Sequence, residues 1–194
     1  MLSNRDLVDK TKTLLKNSYL KVFASLFLAS IIPQIITAIS PQNVVLNIVS
    51  LFVTAYIQVG IALYCLELYK GKDVGLEKIF SRFKGYKPVV FILLYVVVIF
   101  LGFILLIVPG IILALMYSQV FFILAEDPDV GVIDAFNLSH KMMKNNKMQL
   151  FMLNLEALFY FFIGVFTLFI WWIWLIPRYS VAYAGFYDSL KSQD

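Results

Sequence analysis

Between Pro88 and Ala125 the chain runs for 38 residues without a charge. A helix needs about 20 apolar residues to cross the roughly 30 Å hydrocarbon core of a bilayer. This stretch is nearly twice that length, with Pro109-Gly110 near its middle. Proline breaks helices and glycine favours turns. Two crossings folded back at Val108-Pro109-Gly110 are therefore expected.

The rest of the chain has the same character. Apolar residues make up 61% and charged residues 14%, against about 45–50% and 25% in soluble domains. A water-surrounded core of this size has no room for so much apolar surface, whereas lipid accommodates it. One integral membrane domain over residues 1–194 is the expectation. The net charge of +4 does not point to nucleic acid. The bases sit in short loops beside apolar runs, where they set orientation in the membrane. Cys65 is the single cysteine, so no internal disulfide is expected. The first apolar span begins only near Tyr19 and is too long for a signal h-region, so no cleavable leader is expected.

Further spans are expected at Tyr19–Ile39, with Pro33 inside it, and at Val44–Leu68. The last apolar run, Met148–Tyr187, holds two more, turning between Phe169 and Pro177 beside Trp171, Trp172 and Trp174. Short amphipathic helices are expected before each pair. The first, over residues 2–17, opens on Ser3 and Asp6 as a capping box and lines up Leu7, Val8, Thr11, Leu14 and Leu15. Such a helix is expected to lie on the membrane surface. The second carries Leu76, Ile79, Phe80 and Phe83. The third runs from Gly131 to Asn146.

These pieces repeat. Lys16-Asn17, Lys84-Gly85 and Lys144-Asn145 each precede an apolar-Phe pair at one spacing: Val22-Phe23, Val90-Phe91 and Leu150-Phe151. Tyr56-Ile57-Gln58-Val59 matches Tyr117-Ser118-Gln119-Val120, and Tyr179-Ser180 follows. The expected fold class is all-α integral membrane: six transmembrane helices as three hairpin repeats, approximately 1–69, 70–127 and 128–194, each preceded by a cytoplasmic amphipathic helix. All lysines and arginines except Arg178 lie in the N-terminal segment up to the start of the first span, the two long loops or the tail, which places both termini in the cytoplasm.

From Pro109 onward the residues resemble a known family. Pro109-Gly110-Ile111, Tyr117 and Ile123-Leu124-Ala125-Glu126-Asp127-Pro128 lead to Ala135, Ser139 and Met142-Met143-Lys144. Pro177 and Phe186-Tyr187-Asp188-Ser189-Leu190 close the pattern. The chain resembles a bacterial multi-pass membrane family catalogued as domain of unknown function nine-seven-five. It departs from that pattern at Asn145, where the family tends to have glycine, and at Arg178, where it tends to have an aromatic residue. The resemblance implies a bacterial plasma-membrane location and supplies no catalytic residues.

Ionisable groups at membrane depth are costly and face a partner or a cavity. Glu156 and Arg178 are the acid and base inside spans, on two helices of one hairpin. Three readings stand side by side: a pair locking those helices, Arg178 snorkelling to the outer surface, or a proton, ion or substrate site. Gln58 and Gln119 occupy equivalent repeat positions beside Tyr56 and Tyr117. They are expected either to line a common polar centre or to bond between helices. Glu156, Arg178, Gln58, Gln119 and Tyr117 are thus the candidate intramembrane polar site. No nucleophile, metal-ligand or phosphate-loop pattern is present, so no catalytic residue, metal or cofactor is expected. The expected function is non-enzymatic: a part in transport or export of a small or hydrophobic substrate. The alternative is a membrane scaffold acting through its amphipathic helices on a membrane-protein partner. The lipid bilayer is the expected surrounding of either.

Overall fold

The computed structural model describes residues 3–83, 85–105, 107–167 and 170–192, and every regular element among them is helical. Lys84 of the repeated motif and Phe169, one limit of the expected last turn, lie outside the described residues.

Helix α1 spans Asn4–Leu14 and starts on the expected capping box. The Ser3 Oγ accepts from the Asp6 backbone N–H, and the Asp6 carboxylate accepts from the Ser3 N–H at 3.1 Å. The Ser3 hydroxyl also donates to the Asp6 carboxylate at 2.7 Å, and this bond most of all, with that from the Ser3 N–H, holds the Asp6 carboxyl below its usual range. The apolar side of α1 does not rest on a membrane surface. Leu7, Val8, Thr11 and Leu15 are fully buried, and α1 packs against α10, α3 and α9. The pattern of an amphipathic helix asks for apolar cover, and here the protein supplies it.

Helices α2 (Tyr19–Ile39) and α3 (Val44–Tyr69) form a hairpin. The Asn43 side chain caps α3 by accepting from the Val45 and Leu46 N–H groups. Pro33 sits within α2. The Pro33 carbonyl accepts from Ser50 of α3 at 2.9 Å, and Thr37 donates to the Ser50 hydroxyl. These hydroxyl bonds tie α2 to α3 one turn beyond the proline. One turn of helix follows, α4 (Glu77–Phe80). Its Ile79 backbone rests directly on Gly60 of α3, where any side chain would collide with it.

Helix α5 (Lys87–Leu105) and helix α6 (Ile107–Met116) make the middle hairpin. The turn is not at Pro109-Gly110: α6 runs through both residues. In the first turn of a helix a proline forfeits no hydrogen bond, because those N–H groups lack helical partners. Gly110 serves the packing instead. A methyl group on Gly102 of α5 would sit 3.0 Å from the Gly110 Cα.

After α6 come α7 (Val120–Glu126), α8 (Val132–Met143), α9 (Lys147–Phe166) and α10 (Trp172–Lys191). Pro177 lies inside α10, so the last turn precedes it. The Trp172 Nε1–H donates to the Phe161 carbonyl at 3.2 Å and its ring stacks on Phe161, which clasps α9 to α10.

Among the described residues, four helices are long and apolar enough to cross a membrane: Tyr19–Ile39, Val44–Tyr69, Val108–Glu126 and Lys147–Val165. Helix α5 is a further apolar helix, 19 residues from Lys87 to Leu105. Helix α10 carries Arg178, Asp188 and Lys191. It is also the most enclosed, with Val181, Ala182, Ala184 and Phe186 fully buried. A helix covered by protein has little need of a lipid-facing composition.

Candidate functional site

The third of these crossings, Val108–Glu126, is not one continuous helix. It breaks at Tyr117-Ser118-Gln119, between α6 and α7. In an unbroken helix the Met116 carbonyl would accept from the Val120 N–H. Here the Ser139 hydroxyl of α8 takes that carbonyl at 2.8 Å, and the Val120 N–H turns to Tyr117 at 3.3 Å. His140 adds a contact of 2.8 Å between its Nδ1 and the Met116 sulfur. The matching residues of α3, Tyr56-Ile57-Gln58, have no such intruder and stay helical.

The break opens onto a cavity of about 300 Å³ between α3, α7, α9 and α10. Gln58, Ser118, Gln119, Asn154, Ser180 and Tyr183 give it polar groups. Ile61, Ala62, Cys65, Phe121, Phe122 and Leu150 give it apolar walls. No carboxylate, lysine or arginine is among these residues. Gln119 is 2% exposed. Its amide nitrogen donates to the Ser118 hydroxyl at 2.7 Å, while its Oε1 is buried without a partner. An orphaned buried acceptor costs about 1–3 kcal/mol, and this one has no surface open to the cavity. Across it, the Tyr183 hydroxyl donates to Asn154 Oδ1 at 2.7 Å.

Gln58 and Gln119 therefore meet at one cavity. Tyr117 does not line it; its ring packs on Phe136 of α8, centroids 5.0 Å apart. Glu156 and Arg178 are not paired with each other. Arg178 points to α1, with Nη2 at 3.5 Å from the Asp9 carboxylate and the Nε–H donating to the Val8 carbonyl at 3.4 Å. Glu156 faces Tyr179 instead. Neighbouring residues of a helix point about 100° apart, so α10 cannot turn both Arg178 and Tyr179 to α9. Neither Glu156 nor Arg178 lines the cavity.

Some of the lining was readable as a helix face. Gln58, Ile61, Ala62 and Cys65 fall at i, i+3, i+4 and i+7, and Leu150 and Asn154 at i and i+4. Ser118 and Ser180 stand in the repeated Tyr-Ser pair. Tyr183 carried no signal beyond its distance of one helical turn from Ser180.

At the basic end of the bundle, Glu126 gathers the last turns of three helices. Its carboxylate accepts from Lys191 at 2.9 Å, Lys70 at 3.3 Å and the Tyr187 hydroxyl at 2.9 Å. The group is partly open to solvent, which weakens each pair. Glu126→Gln should lower stability by about 1–2 kcal/mol, measured as a drop in thermal midpoint of the detergent-solubilised chain. An unchanged midpoint would mean that these contacts contribute nothing to holding α3, α7 and α10 together.

A family model described as a protein of unknown function (DUF975) matches residues 85–194. The chain belongs to the DUF975 family. No curated protein and no solved structure matches it. The DUF975 match covers α5 to α10, and with them Ser118, Gln119, Asn154, Ser180 and Tyr183. Gln58 and Cys65 come from the segment before it. The site is thus built across the boundary of the DUF975 match.

Proposed function

We propose that this DUF975 protein is a non-enzymatic multi-pass membrane protein that takes part in transport or export of a small substrate, held within its bundle. The observation that carries the reading is the break between α6 and α7, whose Ser118 and Gln119 line a charge-free cavity. Helices interrupted near mid-membrane commonly mark substrate sites in transporters, where freed polar groups line the path. The lining suits an uncharged, largely apolar molecule carrying at least one hydrogen-bond donor.

The architecture belonging to this reading is six spans in three units. Three contacts support it. Phe83, beyond α4, stacks on Tyr56 with centroids 5.1 Å apart. Phe136 of α8 packs on Tyr117. Val8 and Asp9 of α1 meet Arg178, next to Tyr179. Each repeated tyrosine position thus adjoins the short segment that opens another unit, and α1 closes the ring. The bias of Lys and Arg toward one end supports both termini being cytoplasmic, and the family resemblance implies a bacterial plasma-membrane setting. A scaffold acting through its short helices is the weaker reading, because Ile79 and Phe136 are buried within the chain.

The test is Gln119→Leu. Wild-type and variant are purified in mild detergent and their bound small molecules extracted and profiled by mass spectrometry. A neutral amphiphile should be retained by the wild type and reduced roughly tenfold in the variant, the worth of one buried hydrogen bond. Identical profiles from two equally folded proteins would sink the proposal.

A further inference from the structure

A second cavity, about 390 Å³, lies where α1 ends, α2 begins and α3 gives way to its loop. Its wall carries Lys21, Lys72, Asp73, Asn17, Ser18 and Tyr64. Three features address an anion. Lys21 and Lys72 face it with Asp73 as the one carboxylate in the lining. The first turn of α2, a helix of 21 residues, has no side-chain cap from Ser18, so its N–H groups are open to an acceptor. Tyr64 is fully buried, and its hydroxyl, beside Ser25, has no hydrogen-bond partner of ordinary geometry.

The internal pairs do not satisfy these groups. Lys21 reaches Asp73 at 2.7 Å, but the Asp73 side chain is 90% exposed, and exposed pairs are weak. Lys72 stands 3.7 Å from Glu67, which Lys78 holds more closely at 3.1 Å. A phosphate can displace Asp73, since it offers more acceptor oxygens to both lysines, the helix start and the Tyr64 hydroxyl. The position decides among sources. The cavity lies at the ends of two long apolar helices, with exposed Leu14 and Leu20 beside it. We propose that it binds a phosphate-bearing anion, supplied by the headgroup of an anionic phospholipid whose chains lie along Leu14 and Leu20.

The full chain is placed in vesicles of phosphatidylcholine with or without phosphatidylglycerol, and retained lipid is counted by native mass spectrometry. Phosphatidylglycerol should be kept over phosphatidylcholine. Lys21→Gln combined with Lys72→Gln should lower its retention roughly tenfold or more, and Tyr64→Phe severalfold. Asp73→Asn, which removes the competing carboxylate, should raise retention; a gain cannot come from misfolding. Inorganic phosphate is the other arm, added in phosphatidylcholine vesicles and followed by broadening of its phosphorus resonance. Saturable broadening that the lysine variants abolish, without lipid selectivity, supports the anion site and names free phosphate as its occupant. Equal retention of both lipids with no phosphate binding overturns the proposal. So does an Asp73→Asn variant that loses lipid as the lysine variants do.

Discussion

Gly60→Ala is expected to lower the stability of the chain by about 2–3 kcal/mol, although alanine is the better helix former. On propensity alone the change would gain up to about 1 kcal/mol inside α3. The neighbour decides against it. A Cβ at residue 60 falls on the Ile79 carbonyl and 2.7 Å from its carbon. That is backbone, not the far end of a flexible side chain. To make room, α4 must lift from α3. Lifting exposes Ile79, now fully buried, which costs about 1.5–3 kcal/mol. It also strains the Phe83–Tyr56 stack and the hydrogen bond that the Tyr56 hydroxyl donates to the Gly85 carbonyl at 2.5 Å. Thermal unfolding in detergent reads the effect. A variant that melts with the wild type or above it would show that α4 does not seat on Gly60.

Leu7→Ala should cost about 2–5 kcal/mol, the range for emptying a buried leucine site. Leu7 is 0% exposed, in one cluster with Val8, Leu15 and the inner residues of α3 and α10. The alternative setting, a helix resting on lipid, makes the opposite forecast. There the same change would loosen attachment of the N-terminal segment and leave the thermal midpoint in place. Hydrogen exchange over residues 4–14 adds a second reading. In the packed arrangement, protection falls together with global stability. A midpoint unchanged within error would return α1 to the membrane surface.

These two positions show what hydropathy reveals and what it leaves out. Periodicity and one cap located α1, α2 and α3 closely, because Ser3 and the lengths of the apolar runs are local properties. Hydropathy also marked the long crossings, because lipid and protein interior reward the same side chains. For that reason it could not say which of the two would cover a given face. Leu7 and Val8 would suit either, and the protein took them. Pro109-Gly110 misled in the same way: proline stops a helix in its middle and costs nothing in its first turn, and only the partner helix fixes which applies. The pairing of Glu156 with Arg178 rested on depth, whereas the facing direction, set by Tyr179 and the arrival of α1, was decisive. Gln58 and Gln119 were legible because the repeat itself put them in register. The break at Tyr117-Ser118-Gln119 was not, since it depends on Ser139 reaching across from α8 to the Met116 carbonyl.

The contact between Val8 and Arg178 joins residues 170 positions apart. A ribosome adding roughly 5–20 residues per second needs on the order of 10–30 s between them. Through that interval α1 has been synthesised and its docking surface on α10 has not. Its apolar face must wait somewhere, and the bilayer surface is the nearest place that accepts such a face. Docking of α1 against α10 can therefore come only as a late step of assembly.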